Sequence, residues 1–172
     1  FNNQALKQAA YENNIELIYI LLIESGQNKI ENTFKDCKKL KQIVLPPTIT
    51  EIGSKSFLNC ESLCRISIPS SVTCIGDNSF ESCDSLSQIS IPSSVTSIGN
   101  SAFENCSSLE QVSIPCSVEK IGKNAFKRCY FLSHVLIPPS VKSIDDCAFK
   151  ECSSLSQVTI PSSIESIGDH VF

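Results

Sequence analysis

The chain has 172 residues, 41% of them hydrophobic, and its 14 basic and 18 acidic side chains leave a net charge of −4. That balance gives no electrostatic case for nucleic acid or an anionic membrane as partner. The longest apolar stretch, residues 15–23, is broken by Glu16 and falls well short of the ~20 residues that span a bilayer, so no membrane insertion is expected of these residues.

With Phe1 first, no Met and a last residue, Phe172, in mid-repeat, the sequence reads as part of a longer protein, and no secretory leader is recognisable in it. From the first residue to about 33, apolar positions trace two short helices: Leu6, Ala9 and Ala10, then Ile15, Leu17, Ile18, Leu21 and Leu22. Asn13-Asn14 breaks them and Gly26 ends the second. The expectation is a helical hairpin over 1–33 that caps the first apolar layer of the residues C-terminal to it. The same residues resemble the helical part of an ankyrin repeat, without its Thr-Pro-Leu-His opening, and the two readings are compatible.

From residue 34 onward the sequence repeats every 23 residues. Phe34, Phe57, Phe80, Phe103, Phe126, Phe149 and Phe172 keep that interval, and a Cys follows each of the first six by three positions, from Cys37 to Cys152. Leu40 to Leu155 and Pro46 to Pro161 recur in step. A period of this length specifies a solenoid over 34–172, in which each unit buries its apolar face only against its neighbours.

Within a unit, Ile89 and Ile91 alternate with polar neighbours as in a half-buried strand, and Pro92 ends it because proline cannot donate a ladder hydrogen bond. Val95 and Ile98 are then placed on the core, and Gly99 is predicted to turn the chain at positive φ. Asp145, which replaces this glycine in the fifth repeat, also tolerates that region. Residues 102–106 are predicted to make a helical turn that inserts Phe103 and Cys106, stacking the Phe rings into a spine.

Six of the ten cysteines sit at one point of successive repeats and read as a reduced, buried ladder. Neighbouring rungs lie ~4.8 Å apart, within disulfide reach, but parallel side chains do not present the required dihedral. Cys64, Cys74, Cys116 and Cys147 stand where at least one sister repeat carries Ser, and scattered thiols fit a reducing compartment better than an oxidising one.

The run Ile-Pro-Ser-Ser-Val-Thr-Ser-Ile-Gly-Asn-Ser-Ala-Phe-Glu-Asn-Cys-Ser-Ser-Leu, residues 91–109, resembles the BspA-like leucine-rich repeat, and the similarity runs over nearly all of 34–172. The resemblance implies a right-handed curved coil with a parallel β-sheet on its concave face. It also implies a surface-associated or adhesin-like role in binding host or matrix proteins. No catalytic motif comes with it.

Chemistry finds little to work with. His134 and His170 are isolated, with no nucleophile and base paired by spacing, so no enzyme is expected. Cys60 and Cys64 have a possible zinc spacing, but no second pair follows, and neither metal nor cofactor is expected. Alternation instead projects two outward ladders from the sheet: Gln42, Arg65, Gln88, Gln111, His134 and Gln157, and Val44, Ser67, Ser90, Ser113, Leu136 and Thr159. One repeat stands apart, because residues 115–137 carry Tyr130, Phe131, His134 and Leu136 where nearly all sisters are polar, together with Lys120, Lys123, Lys127 and Arg128.

Exposed aromatics beside an apolar residue are the composition of an interface hot spot. A protein-binding patch is therefore expected at Tyr130, Phe131, His134 and Leu136, flanked by Gln111 and Arg65; the alternative folds Tyr130 and Phe131 back over the core. The cluster Lys35, Lys38, Lys39 and Lys41 reads as a junction with the helical cap rather than an anion site. Asn105-Cys106-Ser107 satisfies the glycosylation sequon and matters only in a secreted chain. An interaction module is the conclusion, either a surface adhesin or an intracellular ankyrin/leucine-rich-repeat scaffold. The Gln and Ser ladders also suggest lattice binding, which Gln42, Arg65 and His134 disfavour by interrupting the hydroxyl array.

Overall fold

The computed structural model describes residues 3–172. Two helices, α1 (Asn3–Tyr11) and α2 (Ile15–Glu24), are followed by a β-solenoid of about six turns. The Asn14 side chain caps α2 by accepting from the Leu17 amide at 3.0 Å, and Gly26, at φ 63°, ends it. Leu6, Ala9 and Ala10 of α1 and Ile18 and Leu22 of α2 are buried in the same core as the repeats.

Each turn carries two strands. A three-residue strand comes first: β2 (Gln42–Val44), β4 (Arg65–Ser67), β6 (Gln88–Ser90), β8 (Gln111–Ser113), β10 (His134–Leu136) and β12 (Gln157–Thr159). A two-residue strand comes second: β3 (Glu51–Ile52), β5 (Cys74–Ile75), β7 (Ser97–Ile98), β9 (Lys120–Ile121), β11 (Ser143–Ile144) and β13 (Ser166–Ile167). The two-residue strands pair in parallel into one seven-stranded sheet that begins with β1 (Lys29–Ile30). The longer strands form a four-stranded sheet, β6 to β12, and a separate pair, β2 with β4. Val135 lies against Val112 and Val158, and this register of one period puts like on like in every layer.

Inside the coil, the seven Phe rings form one column, with centroids 5.1 to 5.7 Å apart and planes within 9° of parallel. Burying such a side chain contributes about 1.5–3 kcal/mol, so the column is a main source of cohesion. The cysteine ladder beside it does a second job. The thiols of Cys60, Cys83, Cys106, Cys129 and Cys152 each donate to the Phe carbonyl of the preceding turn, at 3.1 to 3.3 Å. All ten cysteines are free thiols. Hydroxyls make a third link between layers, as where Ser71 donates to Ile49 O at 2.6 Å and Ser140 to Val118 O at 2.8 Å.

The glycines are not where the backbone turns left-handed. Gly99 and its equivalents have ordinary φ, and Asp145 does too. They are favoured by close approach: a Cβ on Gly122 would lie 2.7 Å from the carbonyl carbon of Gly99 and 2.8 Å from Asn100 N. Asp145 keeps the glycine's backbone bond to the preceding turn, its amide donating to Ile121 O at 3.0 Å, and sends its carboxylate to Lys120. Positive φ falls instead at two other positions, represented by Ser101 (52°) and Asn105 (60°).

Between them runs the segment expected to be a helical turn, built of i→i+3 bonds such as Cys106 N to Phe103 O at 3.2 Å. The left-handed residues let Ser101, Phe103 and Asn105 donate to Lys123, Ala125 and Lys127 carbonyls of the next turn, at 2.7 to 2.8 Å. Both strand-bearing sides and this turn side of the coil are thus hydrogen-bonded to adjacent layers.

Candidate interaction face

The three-residue strands present their first and third residues to solvent and their middle residue to the core. Gln88, Ser90, Gln111, Ser113, His134 and Leu136 line one shallow depression of about 430 Å³. Gln42, Val44, Arg65 and Ser67 line another, of about 590 Å³, with Ile15 of α2 at its border. The structure therefore brings Gln111, His134 and Leu136 together and places Arg65 in a separate depression. His134 Nδ1 is held 2.8 Å from Ser133 Oγ, which fixes the ring at the edge of the face.

Tyr130 and Phe131 come directly after the buried Cys129, in the loop that leads into β10. They do not fold back over the core: Tyr130 is 42% exposed, Phe131 63% and Leu136 70%. Neither aromatic lines the depression that holds His134 and Leu136.

The four basic residues of this repeat are all neutralised by adjacent turns. Lys120 pairs with Asp145 at 2.8 Å, Lys123 with Asp146 at 3.3 Å, Lys127 with Glu104 at 3.0 Å and Arg128 with Glu151 at 3.0 Å. The hydrogen bond and charge of Glu151 hold the Arg128 guanidinium above its ordinary pKa. The aromatic and apolar residues thus stand without a net basic field around them.

Burial pushes the ladder thiols up, Cys152 to about 12 and Cys83 and Cys129 well above the ordinary value, which removes them as nucleophiles. Cys60 and Cys64 do not converge on a metal: the first thiol is buried on Phe34 O and the second exposed on Lys41 O.

The first rung is joined to the helices by specific bonds. Asn13 donates through its side-chain amide to Lys39 O at 2.9 Å and accepts from Lys41 N at 2.6 Å, occupying the edge that a preceding turn would pair. Lys39 Nζ donates to Tyr11 Oη at 2.6 Å and lies 4.0 Å from that ring's centroid. The contributions of α1 and α2 to these surfaces, Lys7, Tyr11 and Ile15, were not anticipated from sequence; Lys7 and Tyr11 at i, i+4 spacing were the available signal.

This architecture of 23-residue turns finds its counterpart in a known profile: the BspA type leucine-rich repeat region, in six copies, matches residues 4–133 and 119–172. The chain belongs to the BspA-type leucine-rich repeat family. Among solved structures, a leucine-rich repeat protein of T. pallidum is 34% identical, with a TM-score of 0.78 over 81% of this chain and 66% of that one. A leucine-rich cell surface protein of Faecalibacterium prausnitzii is 38% identical, with a TM-score of 0.79 over 84% of this chain and 40% of that one. A leucine-rich repeat protein of Bacteroides ovatus is 33% identical, with a TM-score of 0.61 over 81% of this chain and 43% of that one. The chain therefore spans between two fifths and two thirds of these relatives' lengths. No curated protein matches it. Leucine-rich repeat proteins generally serve as protein-interaction scaffolds and are typically non-catalytic.

Proposed function

We propose that this chain is the recognition part of a surface adhesin-like protein, binding a protein partner through the sheet face of residues 115–137. The observation that carries the reading is the grouping, in one repeat, of Leu136 and the exposed pair Tyr130 and Phe131, where sister turns have polar residues except for Val44 at the Leu136 position. Gln111 and His134 supply polar contacts beside that centre, and Arg65 supplies a further one from its separate depression on the same face. The cell-surface description of the F. prausnitzii relative supports display outside the cell. The α1–α2 hairpin serves as a cap, a role supported by the Asn13 bonds to the first rung.

The test is capture by immobilised extracellular-matrix glycoproteins, comparing the native chain with Tyr130→Ser/Phe131→Ser/Leu136→Ser. At least tenfold weaker capture is expected of the variant, and unchanged capture removes the patch. A second reading, an intracellular ankyrin/leucine-rich-repeat scaffold, is favoured by the exposed thiols of Cys64 and Cys116 and by the α1–α2 hairpin. Thiol titration of freshly isolated protein separates the two: ten reactive groups after unfolding favour the interior of the cell, and several bridges the exterior.

A further inference from the structure

The distribution of unpaired positive charge singles out a second site. Seven of the 14 basic residues form ion pairs among the described residues: Lys29, Lys38, Lys120, Lys123, Lys127, Arg128 and Lys142. Of the others, Lys7 and Lys35 line one pocket of about 370 Å³ with Lys39 and Tyr11, between α1 and the first turn of the coil. Lys39 is held there by the Tyr11 hydroxyl and ring rather than by a carboxylate.

Asp36, Cys37 and Lys38 complete the lining, and Asp36 keeps its charge there. Asp36 accepts from Asn59 Nδ2 at 2.8 Å, and Glu61 pairs with Lys38 at 2.7 Å. A chain of net charge −4 thus concentrates three cations without a carboxylate partner, on two separate segments, around one concavity in which Asp36 is the single lining carboxylate. The field is felt locally: Lys39 lowers the pKa of Tyr11, and Lys7 opposes the rise that burial imposes on Cys37.

We infer that the pocket between α1 and the first turn binds a single phosphate or sulfate ester group, with Lys7 and Lys35 as direct ligands and Lys39 positioned by Tyr11. Ammonium groups reaching in from a helix and a turn surround a tetrahedral anion as point charges, and the Tyr11 hydroxyl can supply a hydrogen bond beside them. The pocket volume suits one such group with part of the sugar that carries it.

The test is an amide chemical-shift titration with sodium sulfate and, separately, galactose 6-sulfate, each against sodium chloride at matched ionic strength. Saturable shifts at Lys7, Tyr11, Lys35 and Cys37 are expected, with affinity at least tenfold weaker in Lys7→Gln/Lys35→Gln and unchanged in Lys55→Gln. The same spectra report whether each variant is folded. Binding of both probes assigns recognition to the anion, and binding of the ester alone adds the sugar. Shifts no larger than those in chloride, or equal in the double variant, mean an adventitious ion only and overturn the assignment.

Discussion

The inside and the sheet face of the same 23-residue unit follow opposite rules. Along the inside, Phe103, Phe126 and Phe149 repeat without change, and their rings stack at 5.2 and 5.3 Å. Along the face, the residues in equivalent register are Ser113, Leu136 and Thr159. Stacking demands identity where each side chain touches its own copy in the next layer and makes no such demand where it meets solvent. Variety is therefore free to accumulate on the face, which is where a partner can be discriminated.

The largest way to break the inside without touching the face is alkali. Burial holds Cys60, Cys83, Cys106, Cys129 and Cys152 neutral in the folded chain, with pKa values raised in each case. The unfolded chain ionises first as pH rises past about 9, so the stabilisation is fully present below that value and is lost above it. Each thiol costs at most ~1.4 kcal/mol per pH unit there. The urea midpoint is expected to stay level from pH 6 to 8 and fall steeply by pH 10; a level profile to pH 10 would contradict the burial.

Next in size is Phe103→Ala, which opens a cavity in mid-column and is expected to cost about 3–5 kcal/mol in urea unfolding. Leu136→Ser on the face should stay within about 0.5 kcal/mol in the same measurement. Equal effects from the two would erase the distinction. Gly122→Ala drives a methyl into the backbone of the turn beneath and should cost about 1–3 kcal/mol in thermal unfolding.

The smallest effect has the opposite sign. Ser79 Oγ is buried without a hydrogen-bond partner, whereas the single Ser56 hydroxyl proton has two acceptors within reach, Gly53 O at 2.7 Å and Ile30 O at 2.8 Å. Sister turns carry Ala102, Ala125 and Ala148 at this point. Ser79→Ala is expected to raise stability by about 1 kcal/mol, and Ser56→Ala to lower it by a similar amount, both read as urea midpoints.

The features legible from sequence are those that repetition itself encodes: the Phe column, the Cys ladder and the outward alternation of residues such as Gln111 and Ser113. The second sheet was not legible, because two-residue strands such as Ser97–Ile98 are too short to show alternation. The left-handed positions were hidden because Ser101, Arg128 and Glu151 occupy them as well as Asn, and position in the coil overrides residue preference there. Glycine at Gly122 was visible but its cause was not, since the crowding comes from a neighbouring turn rather than from local φ. At the candidate face, Leu136 and His134 were readable from the pleat. The neutralisation of Lys120 and Lys127 was not, because their carboxylates lie on other turns.

Hydroxyl-radical footprinting of the chain bound to a matrix glycoprotein that captures it tests the account most directly. Protection of Tyr130, Phe131, His134 and Leu136 is the expected result, with Cys74 on the opposite strand set labelled as in the free chain. Protection at Cys74 with Phe131 and Leu136 still fully labelled would place recognition away from the three-residue strands and contradict it.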